Sequence, residues 1–262
     1  MAAPVALHHY RRLCAAIAPC GSAAVALSGG VDSTLLLHAA RTALGGRVVA
    51  FNALSPLQKP EEQQRAVEAA ARCGCRLVRF EFSPLEWPEF VANPANRCYL
   101  CKKKTYSLFS SRLADHDAAV LLDGTNADDL DDDRPGLVAL AELGVLTPLA
   151  AEGLRKAEVR ACAREIGIPA WDVPSSSCLA TRIGHGQAIT RENIGFVAMM
   201  EEYLAGRGFA GCRVRWGAEN LTIEVRGGDI PRLATLSATP LFRKMASQKG
   251  FKPLVLAQRN DR

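Results

Sequence analysis

Ser28-Gly29-Gly30-Val31-Asp32-Ser33 lies between two apolar runs, residues 23–27 and 35–37. Apolar run, Gly-rich turn, apolar run reads as strand, tight turn and helix. That order commits this part of the chain to an α/β arrangement. A turn of this kind gathers backbone N–H groups at the positive end of a helix dipole, which suits an anion. Gly29 and Gly30 let the backbone approach that anion with no Cβ in the way. Ser28 and Ser33 add hydroxyl donors. Asp32 is out of place beside a phosphate unless a cation lies between them, so it is expected to organise Mg²⁺. A surface turn that happens to contain two glycines is the plain alternative, and the flanking strand and helix weigh against it.

The segment lacks the Gly-Lys-Ser/Thr ending of the loop that grips a γ-phosphate. SGGVDS resembles instead the PP-loop of the adenine nucleotide α-hydrolase-like enzymes. The resemblance implies that the loop holds the pyrophosphate of ATP and that a substrate oxygen attacks the α-phosphorus.

Length and composition bound the remaining choices. A chain of 262 residues, 48% hydrophobic and 23% charged, has room for one large globular domain or two smaller ones. No apolar stretch approaches the ~20 residues of a membrane span. Arg11 and Arg12 precede no apolar core with a cleavage site, so no signal peptide is read and a cytoplasmic location is expected. The net charge of +5 suits a phosphorylated substrate without requiring nucleic acid. Nine cysteines in such a chain point to thiols or metal ligands in a reducing compartment, not to a disulfide framework.

Strand and helix signals alternate along the first two thirds of the chain. Residues 48–53, 76–82 and 118–123 read as further strands, and 60–72, 102–113 and 154–166 as helices. The expected fold is a doubly wound parallel sheet. Ligands of such sheets sit beyond the carboxyl ends of the strands. Ser28, Ser55, Gly124 and Thr125 fall there and are expected to surround one nucleotide. After Pro174 the pattern changes to a Ser- and Gly-rich loop, a helix over 191–207, a hairpin over 213–225, and a final helix and strand. The expected division is a PP-loop ATP-binding domain over 1–183 and a small α+β domain over 184–262, for substrate binding or oligomerisation.

Cys98-Tyr99-Leu100-Cys101 is a C-x-x-C pair, and Cys178 follows in Ser175-Ser176-Ser177-Cys178-Leu179-Ala180-Thr181-Arg182. Structural zinc normally takes four protein ligands. Three thiolates on a [4Fe–4S] cluster would leave one iron free of protein. A redox pair, or two separately buried thiols, would also account for a lone C-x-x-C. Arg97, Lys102, Lys103 and Lys104 flank the pair and are expected to favour thiolate. Cys73-Gly74-Cys75 reads as structural, and the other cysteines as small packing residues.

Several segments taken together resemble the LarE family, the PP-loop sulfur transferases of nickel-pincer nucleotide biosynthesis. They are SGGVDS, Gly124-Thr125-Asn126-Ala127-Asp128-Asp129 with Arg134-Pro135-Gly136, the run from Trp171 to Arg182, and Arg213-Val214-Arg215. The resemblance spans residues from about 20 to 230. It implies that ATP and Mg²⁺ adenylate a carboxylate of pyridinium-3,5-biscarboxylic acid mononucleotide, and that sulfur then displaces AMP. Cys178 falls on the family's sulfur-donating cysteine, which single-cysteine members convert to dehydroalanine. With Cys98 and Cys101 the chain resembles the three-cysteine subtype, in which a [4Fe–4S] cluster delivers sulfide. Arg182, Arg213 and Arg215 match positions near the substrate phosphate, where forked guanidinium donors suit the ligand. Asp129 and Arg134 match positions near the reacting centre, while most of the acidic run 128–133 is expected to be solvated. The implied partners are a small nucleotide substrate, a sulfide source or cysteine sulfur, and further copies of the chain in a homo-oligomer, with neither nucleic acid nor membrane. Three other readings compete. A tRNA 2-thiolation enzyme would need a strongly basic RNA-binding surface. An amide-forming PP-loop ligase would need no convergent cysteines. A nucleotide-binding regulatory module would release no pyrophosphate.

Overall fold

A computed structural model describes residues 3–131, 135–169, 171–174, 177–247 and 254–259. The chain divides into two compact units, Met1–Ser83 with Asn96–Ser175, and Pro84–Ala95 with Ser176–Arg262.

The first unit is built on four parallel strands: β1 (Ala23–Ala26), β2 (Val48–Leu54), β3 (Arg76–Glu81) and β4 (Val120–Leu122), in the order β3-β2-β1-β4. Its longer helices are α1 (Ala3–Ile17), α2 (Val31–Leu44), α3 (Pro60–Arg72), α4 (Arg97–Ser111), α5 (Pro135–Glu142) and α6 (Lys156–Glu165). Side chains alternate across a strand, so one sheet supplies two cores. Ala23 and Val25 of β1, with Val48 and Ala50 of β2, pack with Leu13 of α1, Leu36 of α2 and Val159 of α6. Ala24 and Ala26, with Val49 and Phe51, pack on the other face with Tyr106 and Phe109 of α4 and Leu140 of α5. Burial on both faces explains why β1 reads as a continuous apolar run and not as an alternation. The order reverses at β1, since β2 and β3 lie to one side and β4 to the other. The crevice of a doubly wound sheet opens at that point.

The strands lie where the sequence pattern placed them, and the expected doubly wound sheet is present. One boundary differs with consequence: α4 begins at Arg97, not Lys102, so the C-x-x-C pair is helical rather than part of a loop. Pro94 and the N-cap Asn96 mark the true start, and nothing between them and Lys102 breaks a helix.

The second unit holds a short helix (Pro88–Val91), a 3₁₀ turn (Leu179–Arg182), α7 (Arg191–Ala205), β5 (Arg213–Trp216), β6 (Leu221–Val225), α8 (Ile230–Ser237), α9 (Pro240–Ser247) and β7 (Leu254–Gln258). β5 and β6 form the expected antiparallel hairpin, and β7 joins β6 in parallel. Leu221, Ile223 and Val225 are buried on one face of β6, and Val197, Met200 and Leu204 are buried along α7. Residues 84–95 join this unit through Asn93, which is fully buried in a left-handed conformation at φ 56°. Its amide donates to the carbonyls of Gly184 at 2.8 Å and Gln187 at 2.9 Å, pinning the loop that follows the 3₁₀ turn.

Candidate functional site

In the first unit the Gly-rich turn is held by its own serines. Ser33 Oγ accepts from Ser28 N at 3.2 Å and donates to Gly30 O at 3.1 Å, while Gly30 N donates to Ser28 Oγ at 3.3 Å. Ser33 is buried and shapes the loop, whereas Ser28 and Gly30 face solvent at the N-terminus of α2. Gly29 has φ +82°, and a Cβ there would stand 2.2 Å from the Glu62 carbonyl oxygen of α3. Only glycine satisfies both the backbone angle and the close approach of α3. Gly124, just beyond β4, is equally confined: a Cβ would come within 2.9 Å of Ser33 N. The exit of β4 therefore lies directly against the first turn of α2, so Gly124 and the Gly-rich turn occupy one place.

Asp123, immediately before Gly124, is a buried carboxylate with its oxygens satisfied. Oδ1 accepts from Thr125 N at 2.8 Å and from the Thr125 hydroxyl, and Oδ2 accepts from the Tyr106 hydroxyl. Lys102 Nζ lies 3.6 Å from Oδ2. Burial, reinforced by the Asp123 charge, holds the Tyr106 hydroxyl protonated far above its ordinary range. Thr125 is thus a positioned residue of the β4 exit. Ser55, at the carboxyl end of β2, is buried and accepts from Leu57 N at 3.3 Å. Beside it, Asn52 is 1% exposed and donates to Leu27 O at 2.7 Å, while its Oδ1 has no hydrogen-bond partner among the described residues.

Asp32 sits in the first turn of α2 between two donors, the Asn126 amide at 3.2 Å and the Lys156 ammonium. Asn126 in turn caps a one-turn helix. Its Oδ1 accepts from Asp128 N and Asp129 N, and its own N–H donates to Asp129 Oδ2 at 3.0 Å. Lys156 opens α6, with its N–H donating to Asp128 Oδ2 at 2.8 Å. Arg155 bridges Asp128 at 2.7 Å and Asp131 at 2.9 Å. The acidic run is therefore not simply solvated, because Asp128, Asp129 and Asp131 each bind a neighbouring group. The Lys156 N–H, followed by the Arg155 guanidinium, holds the Asp128 carboxyl below its usual range. Arg134 lies outside the described residues.

The paired thiols differ in environment. Cys98 is exposed and Cys101 half-buried, three residues apart and so on one face of α4. Burial pushes the Cys101 thiol up to about 11. The flanking lysines, expected to favour thiolate, do not prevail at Cys101. Lys102 is drawn to Asp123, and Lys103 lies 2.6 Å from Glu142, leaving desolvation as the larger effect. All nine cysteines are thiols, not disulfide halves. Among the described residues, no group of three His, Cys, Asp or Glu side chains is arranged to hold a metal ion.

In the second unit Cys178 is exposed, directly before the 3₁₀ turn that carries Arg182. The Thr181 hydroxyl donates to Cys178 O at 2.7 Å. Arg182 is 3% exposed, with its Nε donating to Glu201 Oε1 at 2.6 Å and its Nη1 to Ser177 Oγ at 2.6 Å and Thr181 Oγ1 at 3.0 Å. Arg215 pairs with Glu224 and donates to Thr181 O at 3.3 Å. Arg213 makes no ion pair among the described residues. Burial, followed by Arg259, Arg182 and Arg215, lowers its pKa. The three arginines singled out in the sequence therefore lie within electrostatic reach of one another, two of them tied to the turn after Cys178.

What sequence reasoning missed is the support around Asp32. Lys156 carries no motif, and Asn126 reads only as part of a strand exit. The Pro-free stretch Leu154-Arg155-Lys156, opening a helix after Gly153, is the available signal.

The asparagine synthase family matches residues 15–131, the part that contains the Gly-rich turn and β1–β4. With the parallel sheet, this defines a PP-loop enzyme that uses ATP with Mg²⁺. An uncharacterized protein of Synechocystis is 38% identical over 193 residues, covering 74% of this chain and 72% of that protein. The pyridinium-3,5-bisthiocarboxylic acid mononucleotide synthase of Lactiplantibacillus plantarum is 35% identical over 202 residues, covering 77% of this chain and 73% of that one. A component of the glutamine-hydrolyzing GMP synthase of Archaeoglobus fulgidus is 26% identical over 57% of this chain and 52% of its own length. The chain belongs to the family of the L. plantarum synthase, the LarE family of ATP-dependent sulfur transferases.

Proposed function

We propose that this enzyme acts on pyridinium-3,5-biscarboxylic acid mononucleotide, converting a carboxylate to a thiocarboxylate in nickel-pincer nucleotide biosynthesis. A carboxylate oxygen attacks the α-phosphorus of ATP. The bond to the bridging oxygen breaks and pyrophosphate leaves. A sulfur nucleophile then adds to the acyl carbon, and AMP departs in place of an oxide that could not leave.

The exposed backbone at Ser28 and Gly30, with Gly29 and Ser33 shaping it, suits the pyrophosphate of ATP. Ser55, Gly124 and Thr125 line the same end of the sheet. Asp32 is the residue that would hold Mg²⁺, the cation that offsets charge on the departing pyrophosphate. Its carboxylate is already balanced by Lys156, an ammonium at the Gly-rich turn that would also face the phosphates. Arg182, Arg213 and Arg215 would receive the substrate phosphate. Arg213 is the best suited of them, since Arg182 and Arg215 already bind carboxylates. Asp129 and Arg134 are assigned to the reacting centre by resemblance, and one oxygen of Asp129 serves the cap at Asn126.

Cys178 either gives up its own sulfur or helps hold a cluster that delivers sulfide, and its exposure beside an anchored turn is the observation that carries the reading. Cys98, Cys101 and Cys178 are the residues that would hold a [4Fe–4S] cluster, which would supply sulfide from the iron not bound by protein. Cys101 would have to be held as thiolate there, against the burial that keeps its thiol protonated. A reducing, cytoplasmic setting and a homo-oligomeric state complete the proposal.

Mass spectrometry of protein and product after turnover with ATP, Mg²⁺ and the dicarboxylate nucleotide tests it. Loss of one sulfur and two hydrogens at Cys178 assigns a sacrificed cysteine. An intact polypeptide with several product equivalents assigns a cluster. Pyrophosphate release without sulfur in the product refutes the proposal. Undiminished turnover of ammonia in Cys178→Ala would favour an amide-forming ligase, the direction in which the GMP synthase likeness points.

A further inference from the structure

A cleft of about 330 Å³ opens in the first unit between α2, α3 and the segment after α6, on the α3 side of the Gly-rich turn. One wall is a single face of α3, where Arg65, Glu68, Ala69 and Arg72 recur at helical spacing. The opposite wall is apolar, formed by Ile166, Ile168 and Pro169. Thr34 and His38 of α2 complete the lining.

Charge in this cleft is unbalanced. Among the described residues neither Arg65 nor Arg72 forms an ion pair. Glu68 is engaged elsewhere, accepting from Gln64 Nε2 at 2.9 Å. The His38 ring is held by the Tyr10 hydroxyl at 2.7 Å, and burial lowers its pKa, so it adds a neutral polar surface. Two guanidinium groups outnumber the single carboxylate of Glu68 and pair with none, and, beside an apolar wall, they suit a molecule with an anionic head and a compact apolar body. The volume is at the small end of the ~300–1,000 Å³ range of ligand sites, which fits a one-ring molecule and not a dinucleotide.

The cleft is coupled to the nucleotide loop. Arg65 Nε donates to Gly29 O at 3.2 Å, and Gly29 itself lines the cleft. The backbone of α3 is so close to Gly29 that no Cβ fits between them. An oxyanion taken by the outer nitrogens of Arg65 and by Arg72 leaves the Gly29 bond intact and immobilises the side chain that makes it. A loop ordered in this way has less freedom left to lose when the nucleotide binds.

We propose that this cleft is an effector site for a small aromatic or branched oxyanion, a phosphate or carboxylate, whose binding tightens the hold of the Gly-rich turn on ATP. The site depends on the first unit's own residues and not on the identity of the sulfur acceptor.

Calorimetry on the full chain with phenyl phosphate and with benzoate as probes tests the proposal, alone and with α,β-methylene-ATP. At least one probe should bind, and the better one identifies the head group. Arg72→Ala should weaken it tenfold or more, and Arg72→Lys should recover part of the loss. Arg72 is exposed and bonded to no carboxylate, so the variant should keep its melting temperature. Saturating probe should tighten α,β-methylene-ATP by about fivefold, and the nucleotide should tighten the probe by the same factor. Failure of both probes to bind, equal affinity in Arg72→Ala, or loss of binding only in Arg213→Ala overturns the site. Nucleotide affinity indifferent to the probe overturns the coupling.

Discussion

Replacing Arg182 and Glu201 separately and together tests a deeply buried charge pair of the second unit. The two side chains are 2% and 3% exposed, with Nε 2.6 Å from Oε1. At an effective dielectric of about 20, unit charges about 4 Å apart attract by about 4 kcal/mol. Withdrawal of both ions from water offsets most of that attraction, so the intact pair adds little net stability. Arg182→Met is a different matter, because it leaves the Glu201 carboxylate buried without its guanidinium. Glu201→Leu strands the guanidinium in the same way. Each single change should cost about 3–5 kcal/mol. The double variant Arg182→Met/Glu201→Leu should lose clearly less than the sum, with a coupling of about 2 kcal/mol or more. Urea denaturation followed by far-UV circular dichroism and by the fluorescence of Trp87 and Trp216, in a background where Trp171 is replaced by Phe, reads the difference. With slopes of about 1–3 kcal/mol per molar urea, each single variant should shift its midpoint by more than about 1 M. Additive losses, or single variants costing less than about 1 kcal/mol, would refute the claim that this pair anchors the turn after Cys178.

Two further outcomes are expected. Lys156→Met removes the ammonium from a partly exposed Asp32, so stability should change by less than about 1 kcal/mol while ATP-dependent pyrophosphate release falls about tenfold or more; unchanged release would remove Lys156 from the nucleotide site. Cys101, with its thiol raised to about 11 by burial, should be about a thousandfold protonated at pH 8, and its alkylation by iodoacetamide should keep accelerating to about pH 11. The folded state holds this proton more tightly than the unfolded one. The stability it contributes is therefore present below about pH 9 and lost as the pH rises toward 11, a loss that Cys101→Ala should reduce while Cys75 and Cys162, raised in the same way, keep the remainder. A rate that levels off near pH 9 would contradict the burial argument.

Much of the first unit was legible because its signals are local. Apolar runs placed β1, β2 and β4, alternation placed β3, and two glycines between a strand and a helix placed the anion-binding turn. Arg182, Arg213 and Arg215 were visible as residue types. That Arg182 is sealed against Glu201, and Arg215 committed to Glu224, could not be read from spacing. The start of α4 was placed too late because a C-x-x-C pair followed by three lysines looks like a loop feeding a helix, although Pro94 and Asn96 mark the start at Arg97. The lysines after Cys101 suggest a lowered proton affinity, yet their nearest acids lie on β4's exit and on α5, which a linear reading does not bring near.

The chain alone determined the elements whose conformation is set within a few residues: the Gly-rich turn, the strands around it, the hairpin of the second unit and the family that those motifs identify. Tertiary structure decided the charge state and the partners of the chemical groups. Asp32 and Lys156 are 124 residues apart in sequence, and only the packing of α6 against α2 makes them an ion pair. The physical reason is range. Backbone preferences act between neighbours along the chain, whereas desolvation and Coulomb attraction act between neighbours in space, whatever their separation in sequence.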